Sequence, residues 1–303
     1  MSTAVALREV LVSGTLTLDT TEQGGVVHAD IPGGSALYAA AGASLLLPTR
    51  IVGTVGDDFP FHELRALWER DVDRSAIEVL HGPTFRWRAR YEAEGDQRVT
   101  LSREPGVAAG RLPVVPPMPE SNYALLLGST NPSAQSHVRN ACAGARLVGL
   151  DSMKHWWQEQ RDALRALLAR VDIVFVDEAE LALAVDAADL LDGANQLLGL
   201  GPSVVVVKRG SRGAWMKRRD RDPIECSAVA LTSIADPTGA GDAFAGAFIA
   251  ALGQDPARND EYALRFATAM ASFAVEGVGT SGMAGVGVDA VQRRMAALSA
   301  TLS

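Results

Sequence analysis

The chain has 303 residues, 48% of them hydrophobic, and a formal net charge of −8. That length and apolar share supply a sizeable core, and the acidic balance argues against nucleic acid or an anionic membrane as the main partner. Small solutes are the expected partners. The two cysteines, Cys142 and Cys226, have no second Cys or His at metal-ligand spacing. Glu9 precedes any long apolar stretch and no apolar run reaches the roughly 18 residues that span a bilayer, so a cytoplasmic protein is expected.

Residues 10–14 form a short β-rich run closed by Gly14, which suits a buried parallel strand. Asp19 follows it, either as a turn residue or as a ligand for a polar solute. Ile31-Pro32-Gly33-Gly34-Ser35 leads into a small-residue helix from Ala36. There the backbone must approach something closely, which a helix–sheet contact or a ligand would each explain. Residues 51–58 read as a strand and turn, and residues 60–70 as a helix. Residues 84–91 alternate bulky apolar residues with Arg86, Arg88 and Arg90, then pass through the turn Glu94-Gly95-Asp96 into a second alternating run at 97–102. This predicts an antiparallel hairpin with one wet face, and the overall acidity makes its arginines a solvated face rather than a nucleic-acid site. The proline-rich 113–119 is a connection.

Apolar runs at 123–127, 147–150, 173–176 and 204–207, separated by helix-length segments, predict βαβ units and a parallel sheet. Strand-end loops should then carry function. The loops after the first two runs are Gly128-Ser129-Thr130-Asn131 and the segment from Asp151, in which His155, Trp156 and Trp157 read as packing or interface groups. The third run ends in Asp177-Glu178-Ala179-Glu180, an acidic helix start. The fourth ends in Lys208-Arg209-Gly210-Ser211-Arg212-Gly213, a basic glycine turn. Asp236-Pro237-Thr238-Gly239-Ala240-Gly241-Asp242 feeds an apolar helix from Ala243. Aligned N–H groups and the helix dipole favour an anion there, while Asp242 is either a helix cap or a base. A second apolar helix at 262–275 precedes the glycine-rich 276–282.

The stretch from Asp236 through Phe244 resembles the C-terminal signature of the ribokinase-like (PfkB) carbohydrate kinases, and the motifs at 14–19, 31–43, 177–180 and 208–213 follow in that family's order. The resemblance implies an α/β, ribokinase-like three-layer fold with a mostly parallel central sheet. It implies one domain over residues 1–303, with a small β-lid from segments near 15–34 and 84–103. The implied activity is ATP-dependent transfer of the γ-phosphoryl group to a hydroxyl of a sugar or polyol. The alternatives are a nucleoside kinase of the same family, for which Phe85 and Trp87 could stack a base, and a silent ATP- or metabolite-binding protein.

By the same resemblance, Asp242 is the catalytic base, and Gly239, Ala240 and Gly241 form the anion hole. Asp19, Gly33, Gly34 and Ser35 bind the acceptor, and Lys208, Gly210, Gly213 and Gly279 line the ATP site. Glu180 and Asp177 hold Mg²⁺ through water, and Asp236 and Thr238 are the matching positions for a monovalent cation such as K⁺. Thr17, Ser35 and Tyr38 stand where ribokinase has Asn, Lys and Asn, so ribose itself is not implied. A homodimer through the lid is a further expectation.

Overall fold

Runs such as Leu125-Leu126-Leu127 and Val204-Val205-Val206-Val207 are apolar toward both faces, which only a strand covered above and below can use. The structure, a computed structural model of the chain, describes residues 6–91, 98–118, 122–255, 259–298 and 300–302. In chain order its strands are β1 (Glu9–Ser13), β2 (Thr17–Gln23), β3 (Val26–Gly33), β4 (Thr49–Gly56), β5 (Val72–Asp73), β6 (Ile77–Leu80), β7 (Phe85–Tyr91), β8 (Arg98–Glu104), β9 (Tyr123–Leu127), β10 (Leu147–Asp151), β11 (Ile173–Asp177), β12 (Val204–Lys208), β13 (Ala214–Arg218), β14 (Ile224–Cys226) and β15 (Ala300–Leu302).

The large sheet runs β5-β4-β1-β9-β10-β11-β12-β13-β14-β15, with β6 also paired to β4. It is parallel as far as β12 and antiparallel from β12 to β15. This is the α/β fold with a mostly parallel sheet that the alternating runs predict. One face packs Val10, Val12, Leu126, Phe175 and Val206 against helices Ser35–Ala43, Ala240–Gln254 and Asp260–Ala274. The other packs Leu11, Leu125, Leu150, Val174 and Val205 against helices Pro132–Ala141, Arg161–Leu168 and Leu190–Gly199.

This alternation places the strand-end charges. Ile173 and Phe175 belong to the first face and Val174 and Val176 to the second, so Asp177 projects from the first. The same count puts Lys208, two residues beyond Val206, on that face. It does the same for Asp151, because Gly149 meets Phe175 and Ile249 there. Three neighbouring strands thus end in charge beneath helix Ala240–Gln254. That helix lies in backbone contact with helix Ser35–Ala43: a β-carbon on Gly246 would strike the Ala39 carbonyl, and one on Gly42 the Ala243 carbonyl. The small-residue helix thus packs helix on helix, while the close approach anticipated at Gly33-Gly34 is to Asp19 and to the Thr15 carbonyl.

The second sheet runs β3-β2-β7-β8, with β2 and β7 parallel and both outer pairs antiparallel. Its β7–β8 pair is the hairpin anticipated in the sequence, while the turn Glu94-Gly95-Asp96 lies outside the described residues, as does Pro119. Residues 60–70 depart from the helix reading. They form a 3₁₀ turn, Phe61–Leu64, and a single helical turn, Arg65–Trp68, with the Trp68 indole N–H donating to the Phe61 carbonyl at 2.7 Å. Among the described residues no helix is long and apolar enough to cross a membrane.

Candidate active site

The helix Ala240–Gln254 opens on Gly239, its N-cap, in the left-handed region at φ 77°, with no side-chain cap. Glycine is required there twice over, by that angle and because a β-carbon would collide with the ring of Tyr38. Asp242 is therefore not the cap. It is the third helical residue and half-buried, where its charge complements the dipole without closing the helix end. The Ala240 N–H turns back to the Pro237 carbonyl at 3.4 Å, and the remaining early amides belong to a helix start, the geometry that binds anions.

Lys208 lies under this turn. A β-carbon on Gly241 would come within 3.2 Å of its Nζ. Both oxygens of Asp151 hold that ammonium, at 2.8 and 2.9 Å. Burial alone would make Lys208 easier to deprotonate, but Asp151, Glu180 and Asp242 outweigh it and raise its pKa, so the lysine is a fixed cation. Burial likewise pushes the Asp151 carboxyl up, against the opposing pull of Lys208.

Asp177 and Glu180 form a reciprocal capping box for helix Glu178–Ala184: Asp177 Oδ1 accepts from the Glu180 N–H at 2.7 Å, and Glu180 Oε2 from the Asp177 N–H at 2.9 Å. Burial pushes the Glu180 carboxyl up to about 8; Lys208 opposes this, and Asp177 and Asp151 reinforce it. Among the described residues no cluster of three His, Cys, Asp or Glu side chains is shaped to cage a metal ion. Carboxylates that act on Mg²⁺ through water need no such cage, and Asp177 and Glu180 suit that indirect role.

The acceptor side is built on β2. Asp19 is buried, Thr17 donates to its Oδ1 at 2.7 Å, and Gly33 passes so close to Oδ2 that no β-carbon would fit between them. Thr17, Asp19 and Thr21 share one face of the lid. In register beside them on β7 stand Phe85, Trp87 and Ala89, with Trp87 directly opposite Asp19. This is the inward face, because its far end latches onto the signature loop. Thr21 donates to Asp236 Oδ2 at 3.4 Å, and the Tyr91 hydroxyl meets Thr238 Oγ1 at 2.6 Å. Asp236 Oδ1 also accepts the Thr238 N–H at 2.8 Å. The side chains matched to a monovalent cation are thus spent on the loop and the lid, which gives K⁺ no support here. On the outward face Arg88 and Arg90 share Glu22, and Arg86 pairs with Asp58, as a solvated face should.

Tyr38 joins the two halves. Fully buried, its hydroxyl is held protonated by burial first and then by the charges of Asp19, Asp236, Tyr91 and Asp242.

Other expected residues have different surroundings. The Ser35 hydroxyl accepts the Thr15 N–H at 3.0 Å and donates to the Ser129 carbonyl at 2.8 Å, so it ties β1 to β9. Gly34 abuts the Thr15 carbonyl, and Gly279 abuts Ile31 at the root of the lid. Gly210 and Gly213 close the β12–β13 turn, where the Gly213 N–H donates to Gly210 O at 2.9 Å. Arg209 is paired with Glu178 and Glu225. Sequence reasoning gave no role to Asp151, Thr21 or Tyr91, and marked Tyr38 only as a departure from ribokinase. Only Asp151 carried a signal, as a carboxylate at the carboxyl end of a parallel strand.

Known proteins resemble this chain in sequence and fold. Residues 22–284 match the family described as pfkB family carbohydrate kinase. A cytidine kinase of Thermococcus kodakarensis is 31% identical over 248 residues, covering 80% of this chain and 87% of that protein. A nucleoside kinase of Methanothermobacter thermautotrophicus is 28% identical over 258 residues, covering 82% and 79%. The structure of Arabidopsis thaliana ribokinase complexed with ribose and ATP superposes with a TM-score of 0.73 at 25% identity, covering 96% of this chain and 99% of that one. The chain belongs to the pfkB family of carbohydrate kinases, phosphotransferases whose acceptor is a hydroxyl group.

Proposed function

We propose that this kinase transfers the γ-phosphoryl group of ATP to a hydroxyl of a nucleoside. The observation that carries the choice of acceptor is the register of Asp19 beside Trp87 on the inward lid face: a carboxylate for ribose hydroxyls on one strand and, on the next, an indole whose N–H donates to Thr100 Oγ1 at 3.4 Å and whose ring can stack a base. The likeness to a cytidine kinase along most of both chains supports it. A free sugar or polyol is the second reading, favoured by the burial of Asp19 among Thr17 and Gly33, which suits hydroxyl recognition alone.

In the transfer, Asp19 fixes the acceptor hydroxyls while Asp242 accepts the proton of the reacting one. The acceptor oxygen bonds to the γ-phosphorus as the bond to the β–γ bridging oxygen breaks, and ADP leaves. The amides of residues 239–242, the helix dipole and Lys208 stabilise the charge that spreads over the transferred group. Mg²⁺, held through water by Asp177 and Glu180, would neutralise the phosphates when bound. Lid strands over the acceptor exclude water, so that ATP is not hydrolysed wastefully.

ADP release with ATP and Mg²⁺ across a panel of nucleosides, pentoses, hexoses and polyols tests this. The nucleoside reading expects at least one nucleoside to exceed every free sugar in kcat/KM by about tenfold or more, the value of roughly one well-packed stacking contact. A sugar that outpaces all nucleosides would establish the second reading. Binding without turnover across the whole panel would overturn both.

A further inference from the structure

Lysine is a point charge on a four-carbon stem, and a buried one goes to whichever anion binds it best. Lys208 has three candidates. Its ammonium feels Asp151, Glu180 and Asp242, yet both of its short contacts are to Asp151. The side chain of Asp151 is only 3% exposed, against 18% for Lys208. The carboxylate is itself fixed: Oδ1 accepts the Ser152 N–H at 3.0 Å, and the Asp151 carbonyl accepts from Gln135 Nε2 at 2.8 Å. Gln135 also donates to the Gly128 carbonyl at 2.9 Å, so the end of β10 is pinned to the end of β9. Asp151 thus carries an anchorage that an ordinary surface counterion lacks.

The outcome is an ammonium parked against Gly241, at the turn proposed to receive the transferred phosphoryl group. Were Lys208 released, the other carboxylates that its ammonium feels are Glu180 and, after it, Asp242 in the first turn of helix Ala240–Gln254. An ion pair there would lower the basicity of Asp242 and occupy the oxygen that must take the acceptor's proton.

We infer that Asp151 is a positioning residue for phosphoryl transfer, holding Lys208 under the anion-hole turn and away from Asp242. The inference rests on the kinase mechanism proposed above. It assigns a function to a residue that touches neither acceptor nor base.

The test compares Asp151→Asn, Lys208→Met and the double variant, all in the full chain, with an acceptor that the wild type phosphorylates. Asp151→Asn keeps shape and removes charge. It should lower kcat by about 10²-fold or more, as loss of the base would, while acceptor KM and MgATP affinity by calorimetry change less than about threefold. The double variant should turn over faster than Asp151→Asn, because no ammonium remains to capture Asp242, but slower than wild type, because the phosphoryl site has lost its cation. A merely structural Asp151 would move KM, nucleotide affinity and melting temperature together with kcat.

A wild-type kcat in Asp151→Asn, or a double variant no faster than that single one, would overturn the inference. Should Asp151→Asn fail to fold, the double variant decides alone, since removing a buried ion pair whole is often neutral for stability. Wild-type kcat in it would show that neither residue serves the transfer. An inactive wild type on every acceptor would instead refute the kinase mechanism itself.

Discussion

Replacing Asp242 by Asn separates the base from its surroundings. Because Gly239 caps the helix and Asp242 is only the third helical residue, the substitution removes no cap. What it removes is one negative charge from the first turn, worth about 0.3–1 kcal/mol to a helix N-terminus, and one of three carboxylates that keep Lys208 charged. Lys208 retains Asp151 through two short contacts, so the fold keeps its buried ion pair. The loss of stability should therefore stay within about 1 kcal/mol, a fall in Tm of a few degrees at most. Turnover should suffer far more. Asn cannot accept a proton, and a positioned base contributes about 10²–10⁴-fold, so kcat should fall by that factor with ATP affinity nearly unchanged. ADP-coupled kinetics, thermal melts and nucleotide calorimetry on one preparation measure all three. A folded Asp242→Asn enzyme with near-normal kcat would refute the mechanism and leave the aspartate a role in the dipole alone.

Asp19→Ala removes the carboxylate opposite Trp87 and should raise acceptor KM by about 10²-fold with ATP affinity intact; equal loss of ATP binding would mean that the two pockets are misplaced. Tyr91→Phe deletes the 2.6 Å contact that closes the lid on Thr238. It should cost about 1 kcal/mol and raise the ADP released per acceptor phosphorylated, and an unchanged ratio would remove the latch from the mechanism. Glu180 protonates near 8 in the fold, against an ordinary 4.5, so its stabilising proton uptake is complete below 4.5 and lost as pH rises through about 8. Glu180→Gln keeps the capping box and abolishes the titration, so its Tm relative to wild type should rise between about pH 4.5 and about pH 8 in Mg²⁺-free buffer and level off above; a flat difference throughout would mean that Glu180 is already charged in the fold. Edge strands β3 and β8 of the lid expose Val26, Val27, Val99 and Leu101. A homodimer through the lid should dissociate in Val27→Lys by sedimentation, and a monomeric wild type would exclude that dimer.

What could be read from the sequence was whatever neighbours in the chain do together. The runs at β9 to β12 declare a buried parallel sheet because each is apolar on both faces, and residues 236–242 declare a glycine turn that starts a helix because the glycines lie just before an apolar run. Pairings across the chain left no such trace. Lys208 meets Asp151 over 57 positions, Tyr91 meets Thr238 over 147, and Thr21 meets Asp236 over 215. Glycines are ambiguous for a related reason: the residue type says that something comes close, not what. Gly279, expected beside nucleotide, meets Ile31 of the lid root, and Gly42 meets a neighbouring helix. Three aspartates make the same point chemically. Asp151 ends an apolar strand, Asp236 begins a loop and Asp242 stands at a helix start, and composition cannot rank them. Partners do: Asp151 is bound by an ammonium, Asp236 by the lid and its own loop, and Asp242 alone stands in the first turn of a helix that glycine caps. Because Gly239 and not Asp242 caps that helix, replacing the carboxylate separates its proposed chemistry from the capping, and that division of labour exists only once the chain has folded.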